Sequence, residues 1–111
     1  MITLLRGTVE AKGKGYLTLL TPSGVGYEVR MSNLELTQYA VSEGTTIHTY
    51  LKVAEQALEL YGFPSIQKRE FFMNLLTVSG VGPKSAMNIL ALGSIDDIKS
   101  AIVRGDVKYL T

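Results

Sequence analysis

The chain has 111 residues, 46% of them hydrophobic and 19% charged, a globular balance with room for one ordinary domain or a small barrel joined to a small helical unit. It has no cysteine and a single histidine, which excludes disulfides, zinc ribbons, thiol nucleophiles and iron–sulfur clusters, and His48 reads as an ordinary strand residue within Thr46-Ile47-His48-Thr49-Tyr50. The net charge is +1, no apolar run approaches the ~18 residues of a membrane helix, and Met1 to Gly7 lacks the anatomy of a signal peptide, so a cytoplasmic protein without membrane contact is expected.

The first 63 residues read as short strands punctuated by turns. Ile2 to Ala11 is a β-rich run, and Lys12-Gly13-Lys14-Gly15 is a turn. Tyr16 to Thr21 forms the second strand, and Pro22-Ser23-Gly24 turns the chain again. Tyr27-Glu28-Val29-Arg30-Met31 alternates as a half-buried strand should. Ser32 or Asn33 then caps a short helix through Leu34, Leu36 and Tyr39. After the Glu43-Gly44 turn, Ile47 to Val53 and Leu58 to Phe63 are the last two strands, joined by Ala54-Glu55-Gln56-Ala57. Five strands with one helix between the third and fourth predict a small closed barrel of the OB type, which leaves no sheet edge exposed.

At Pro64-Ser65 the apolar period changes from two to that of a helix. Residues 1–64 are therefore expected to form a barrel domain and residues 65–111 a helical one. Ser65 is the expected N-cap of a helix carrying Phe71, Phe72, Leu75 and Leu76. A second helix starts at Pro83 and runs through Ala86, Ile89 and Leu90 to Gly93. A third follows Ser94, which with Asp97 resembles a capping box; Ile95, Ile98 and Ile102 share one face, and Gly105 ends it. Asp106 is expected to cap a fourth helix over Val107 to Thr111. The charge divides slightly, −1 over residues 1–64 and +2 over residues 65–111, so a nucleic-acid partner would require opposite charges sorted onto different faces.

The stretch Val78-Ser79-Gly80-Val81-Gly82-Pro83-Lys84, set between two amphipathic helices, has a helix–hairpin–helix pattern. Its two glycines permit unusual backbone angles and close approach of another molecule. Pro83 opens the second helix and leaves neighbouring N–H groups aimed outward, an anion site for which a DNA phosphate is the natural occupant. Lys84 adds a point charge, and Ser79 or Ser85 a hydroxyl. Such contacts position a protein on DNA without reading its bases, so structure-specific or sequence-independent binding is expected.

Several segments together resemble the RuvA family of Holliday-junction-binding proteins. They are Leu5-Arg6-Gly7, Gly24-Val25-Gly26-Tyr27-Glu28-Val29, Leu60-Tyr61-Gly62-Phe63 and Ser79-Gly80-Val81-Gly82-Pro83-Lys84, in matching order and spacing over roughly the front half of a family member. The resemblance implies an OB-fold barrel, then a domain with two helix–hairpin–helix motifs, then a third small domain that binds the RuvB motor ATPase. It implies a homotetrameric plate that holds an open four-way DNA junction for branch migration in recombination and repair. The gripping role falls on Ser79, Gly80, Val81, Gly82, Lys84 and Ser85, with no cofactor or metal. The family's acidic pin between the last two strands falls on Glu55-Gln56. Glu55 keeps its carboxylate, Gln56 is neutral where a second carboxylate is usual, and Glu59 further along could partly replace it. The second hairpin motif and the motor-binding domain are missing, so a truncated fragment is expected, binding DNA through one hairpin per subunit without recruiting RuvB.

Other functions fit less well. A helix–hairpin–helix DNA glycosylase would pair its lysine with an aspartate, but Ile102 stands at that distance from Lys84, and Asp96 and Asp97 come too early. A single-stranded-DNA barrel would display stacking tyrosines, for which Tyr16, Tyr27, Tyr50 and Tyr61 are available. A purely structural scaffold would use the barrel for oligomerisation. Neither Gly13-Lys14-Gly15 nor Gly80 to Ser85 satisfies a nucleotide-binding loop, so a non-catalytic subunit is expected, with ATP hydrolysis left to its partner.

Overall fold

The computed structural model describes residues 1–103, with side chains through Ser100. The elements follow in the order β1 (Leu4–Gly13), β2 (Tyr16–Leu20), β3 (Gly26–Arg30), α1 (Asn33–Leu36), β4 (Gly44–Ala54), β5 (Ala57–Phe63), α2 (Ile66–Leu75), α3 (Pro83–Leu90) and α4 (Ile95–Val103). The strands close into a barrel in the order β1-β2-β3-β5-β4, an OB-like arrangement as the strand count and interposed helix predict. All neighbours are antiparallel except β3 and β5, which pair in parallel at Val29–Leu60 and Arg30–Tyr61.

Alternation decides what lies inside. On β2, Leu17 and Leu19 are fully buried while Tyr16, Thr18 and Leu20 lie on the other face; Val29 on β3, Met31 just after it and Ile47 on β4 continue the core. Closing five strands requires β1 to bend so that it pairs with β2 on one side and β4 on the other. Two features allow this. The β1–β2 register shifts between Val9 and Ala11, a bulge. At Gly7 a Cβ would lie 2.2 Å from the Leu20 carbonyl oxygen, so the strands approach too closely for any side chain there. Gly62 is required for a different reason, because a Cβ there would enter the core 2.3 Å from Val29 Cγ1 and 2.9 Å from Ile47 Cγ2.

Some boundaries differ from expectation. β1 starts at Leu4 rather than Ile2 and runs on to Gly13, pairing through the first half of the anticipated turn. Ser32, not Asn33, caps α1, its Oγ accepting from the Glu35 N–H at 3.2 Å; the Asn33 side chain instead accepts from the Gly15 N–H at 2.8 Å. Helix α1 is one turn long, so Tyr39 lies beyond it, yet Tyr39 is buried in the barrel core with Leu36. Lys12 Nζ donates to the Tyr39 carbonyl (2.6 Å) and to that of Leu36 (3.2 Å), which also accepts from the Tyr39 N–H at 3.2 Å, so the lysine supplies donors to carbonyls at and just past the helix end.

Helix α2 begins one residue after Ser65, whose Oγ accepts from the Lys68 N–H at 3.2 Å. Its first turn is tied to the barrel. Lys68 Nζ meets Glu35 Oε2 at 2.9 Å, and Arg69 Nε donates to the Thr49 carbonyl. These bonds accord with where the chain divides into compact units: residues 1–69 form the first and the second begins at Glu70, inside α2. In the second unit Phe72, Leu75, Ala86, Ile89, Leu90 and Ile98 are buried. Helix α3 ends at Leu90, short of Gly93, with Ala91 and Leu92 N–H groups closing the last turn onto Met87 and Ile89 carbonyls. The expected stop at Gly105 and the Asp106-capped helix over residues 107–111 lie outside the described residues.

Candidate nucleic-acid interface

The hairpin is built by backbone bonds in sequence. As α2 ends, the Thr77 and Val78 N–H groups close onto the Asn74 and Leu75 carbonyls, each at 3.1 Å. A tight turn follows, with the Val81 N–H donating to the Val78 carbonyl at 3.1 Å. Its third residue is Gly80 at φ +83°, the left-handed region that a type II turn requires at that position and that side chains disfavour. Gly82 then adopts an extended conformation, φ −94° and ψ 179°, and serves as N-cap of α3 with Pro83 at the first helical position.

This helix start is unusual within the molecule. α1 is capped by Ser32, α2 by Ser65, and α4 by Ser94, whose Oγ accepts from the Asp97 N–H at 3.1 Å while Asp97 Oδ2 accepts from the Ser94 N–H at 3.4 Å. Gly82 provides no side-chain cap, and the first turn of α3 contains no acidic residue, whereas that of α4 contains Asp96 and Asp97. Among the described residues, the N–H groups of Gly80, Gly82, Lys84 and Ser85 have no hydrogen-bond acceptor. Free N–H groups together with the positive end of the helix dipole form an anion-binding concavity. Ser79, Gly80, Gly82, Lys84 and Ser85 are all exposed, and Val81 is half-buried. The fold therefore brings six sequence-nominated residues onto one continuous hairpin. Around Gly82 there is open space, with no atom within 4 Å of where a Cβ would stand. Neither backbone angle nor packing within the described chain demands glycine there.

Glu55 and Gln56 occupy a two-residue tip joining β4 and β5, both exposed. The ribbon's cross-strand pairs run from Lys52–Glu59 through Val53–Leu58 to Ala54–Ala57, so Glu55 carries the only charge of the six residues 53–58. Glu59 is engaged elsewhere. Its Oε2 accepts from the Tyr61 hydroxyl at 2.6 Å and lies 3.8 Å from Arg30 Nε. The Tyr61 bond, aided by Arg30 and Lys52, holds the Glu59 carboxyl below the usual glutamate range. Burial, reinforced by the Glu59 carboxylate, pushes the Tyr61 hydroxyl up to about 12.

The tyrosines offer little stacking surface. Tyr61 is only 6% exposed, Tyr16, Tyr27 and Tyr50 are half-buried, and Tyr27 packs against the core. Several polar groups carry no local sequence signal of their long-range role: buried Glu35, half-buried Lys68 and Arg69, and exposed Lys12 all serve the fold rather than the hairpin. The spacing Ser32-x-x-Glu35 was a visible sign of a capping box, but its partner Lys68 lies 33 residues away, beyond any local pattern. No described helix is long and apolar enough to cross a membrane.

A closed OB-like barrel followed by a helix–hairpin–helix with an open helix start defines a class of small nucleic-acid-binding modules. Comparison with known proteins narrows the class. Residues 1–62 match the family described as RuvA N terminal domain, and residues 72–111 match the SAM-like helix-hairpin-helix tandem. The chain is 43% identical over 105 residues to the Holliday junction branch migration complex subunit RuvA of Acholeplasma laidlawii, covering 88% of this chain and 55% of that protein. Proteins of the same description from Lactobacillus johnsonii and Chloroflexus aggregans are 41% and 40% identical, covering 100% and 99% of this chain and 56% of each relative. The chain belongs to the RuvA family, and it spans about half the length of the curated relatives it matches.

Proposed function

We propose that this chain is the junction-holding part of a RuvA-type subunit, binding four-way DNA by shape and phosphate contacts without reading sequence. The observation that carries this reading is the uncapped start of α3, with Gly80, Gly82, Lys84 and Ser85 N–H groups free on an exposed hairpin. A phosphate oxygen there would accept from the backbone, Lys84 would add a charge, and Ser79 or Ser85 a hydroxyl. None of these groups distinguishes one base from another. Relatives named as branch migration complex subunits support placing the contact on junction DNA.

The rest of the reading follows the family. Residues 1–64 form the barrel domain, and residues 65–111 carry the first helix–hairpin–helix motif. Four copies assemble around the crossover, Glu55 and Gln56 face it as the pin, and the carboxylate of Glu55 repels phosphates there. The subunit is non-catalytic and cytoplasmic. A RuvB-type ATPase supplies the motor through a region beyond the part of the family that this sequence spans.

Gel-shift titration at two salt concentrations tests the proposal, comparing a four-way junction with linear duplex and single strand. Preference for the junction, falling steeply with salt, is the expected result. Lys84→Ala should weaken binding to all DNAs alike and reduce the salt slope by about one for each subunit that contacts the DNA. Equal binding of the wild type to all three DNAs by a stable tetramer would overturn the reading.

A further inference from the structure

The β4–β5 ribbon outruns the barrel. β1 reaches only to Leu4–His48 and a Thr49 N–H bond to the Thr3 carbonyl, and β3 contacts β5 only at Leu60 and Tyr61, so residues 52–59 pair with each other alone. Cross-strand partners share a face, and residues two apart on a strand do so too. Val53 and Leu58 therefore continue the face of Leu51 and Leu60, which belongs to the core side of the barrel. Past the barrel end no described residue covers that face: Val53 is 63% and Leu58 70% exposed. Ala54 and Ala57 add no polar group behind the tip, and Glu55 supplies the only charge.

Resting on the junction-binding reading above, we propose that Val53 and Leu58 form an apolar wedge that contacts the faces of bases unstacked at the crossover. The occupant follows from the chemistry of the ribbon. A carboxylate at the tip disfavours phosphate, and two aliphatic side chains beside it offer no hydrogen bonds to base edges. What remains of DNA is the flat apolar face of a base, the surface that aliphatic wedges of other DNA-bending proteins occupy. Gln56, neutral, lets the tip approach bases with one carboxylate rather than two. The ribbon thus separates strands by occupying the vacated stacking surface as well as by charge.

The test uses four-way junctions carrying 2-aminopurine at the crossover, whose fluorescence rises on unstacking, together with gel shifts and sedimentation. The wild-type chain should raise the fluorescence. At protein concentrations that fully bind the junction, Val53→Ser with Leu58→Ser should lose most of that rise while keeping assembly and thermal melting, and Val53→Ile with Leu58→Met should restore it. A wild type that binds the junction and a serine double variant that retains the full rise would overturn the wedge alone. Loss of assembly in the double variant would also overturn it, making the pair a subunit contact. A wild type with no junction preference would overturn the underlying function instead.

Discussion

The barrel and the hairpin use glycine for opposite reasons. In the barrel, Gly7 and Gly62 are dictated from within, since a Cβ at either would strike Leu20 backbone or Val29 and Ile47 side chains. In the hairpin, Gly80 is dictated by its turn at φ +83°, but Gly82 meets nothing and has an ordinary extended backbone. A residue that the fold itself explains is evidence about stability. A residue that the fold leaves unexplained, beside free N–H groups, is evidence about something that approaches from outside. The helix starts differ in the same way: Ser32, Ser65 and Ser94 close theirs, and Gly82 leaves its own open.

The largest expected effect lies in the barrel. Gly7→Ala forces β1 away from the Leu20 carbonyl, a backbone rather than a side-chain clash, and should destabilise the chain by about 3 kcal/mol or more in urea unfolding. A fully stable Gly7→Ala would show that β1 has slack where closure allows none. Next comes the tie between barrel and α2. Glu35→Ala strands Lys68, whose side chain is 28% exposed and so partly able to recover water, and a loss of about 1–2 kcal/mol is expected by the same measurement.

Gly82→Ala sharpens the comparison most. Its stability should change by less than about 1 kcal/mol, the range of N-cap replacements, while junction affinity falls roughly tenfold because the new methyl occupies the approach to the free N–H groups. Equal affinity for the variant and the wild type in fluorescence-anisotropy titration would show that this approach is not used. The smallest effect concerns pH. Between 10 and about 12 an unfolded tyrosine has ionised while Tyr61 in the fold keeps its proton, so the unfolded state binds fewer protons and stability falls as pH rises through that window. The contribution is present in full below pH 10. Burial, with Glu35 and Glu43 beside it, raises the Tyr39 hydroxyl as well, so Tyr61→Phe should lessen that alkaline decline in thermal melts and reduce, without removing, the high-pH component of a 295 nm titration.

Local chemistry made much of this protein legible. Alternation at Leu17, Leu19, Val29 and Met31 reports burial because a strand's side chains alternate faces whatever its neighbours are. The caps at Ser65 and Ser94 are equally local, since donor and acceptor lie three residues apart. Gly80 and Pro83 mark the turn and the helix start by their own backbone limits. The hairpin residues Ser79 through Ser85 are for that reason visible as a candidate site before any packing is known.

Other features depend on residues far apart in the chain. No local rule links Glu35 to Lys68, Thr49 to Arg69, or Lys12 to the carbonyls ending α1, because each pair meets only when the barrel closes. The same holds for Glu59, which sequence spacing offered as a substitute pin charge and which strand register instead sets beside Tyr61 and Arg30. Sequence by itself determined the elements, their order and the chemistry of the hairpin, because these rest on backbone angles and contacts within a few residues. Only the tertiary structure decided which polar groups are consumed by the fold and which remain open, because burial and pairing are properties of the closed barrel and not of any segment within it.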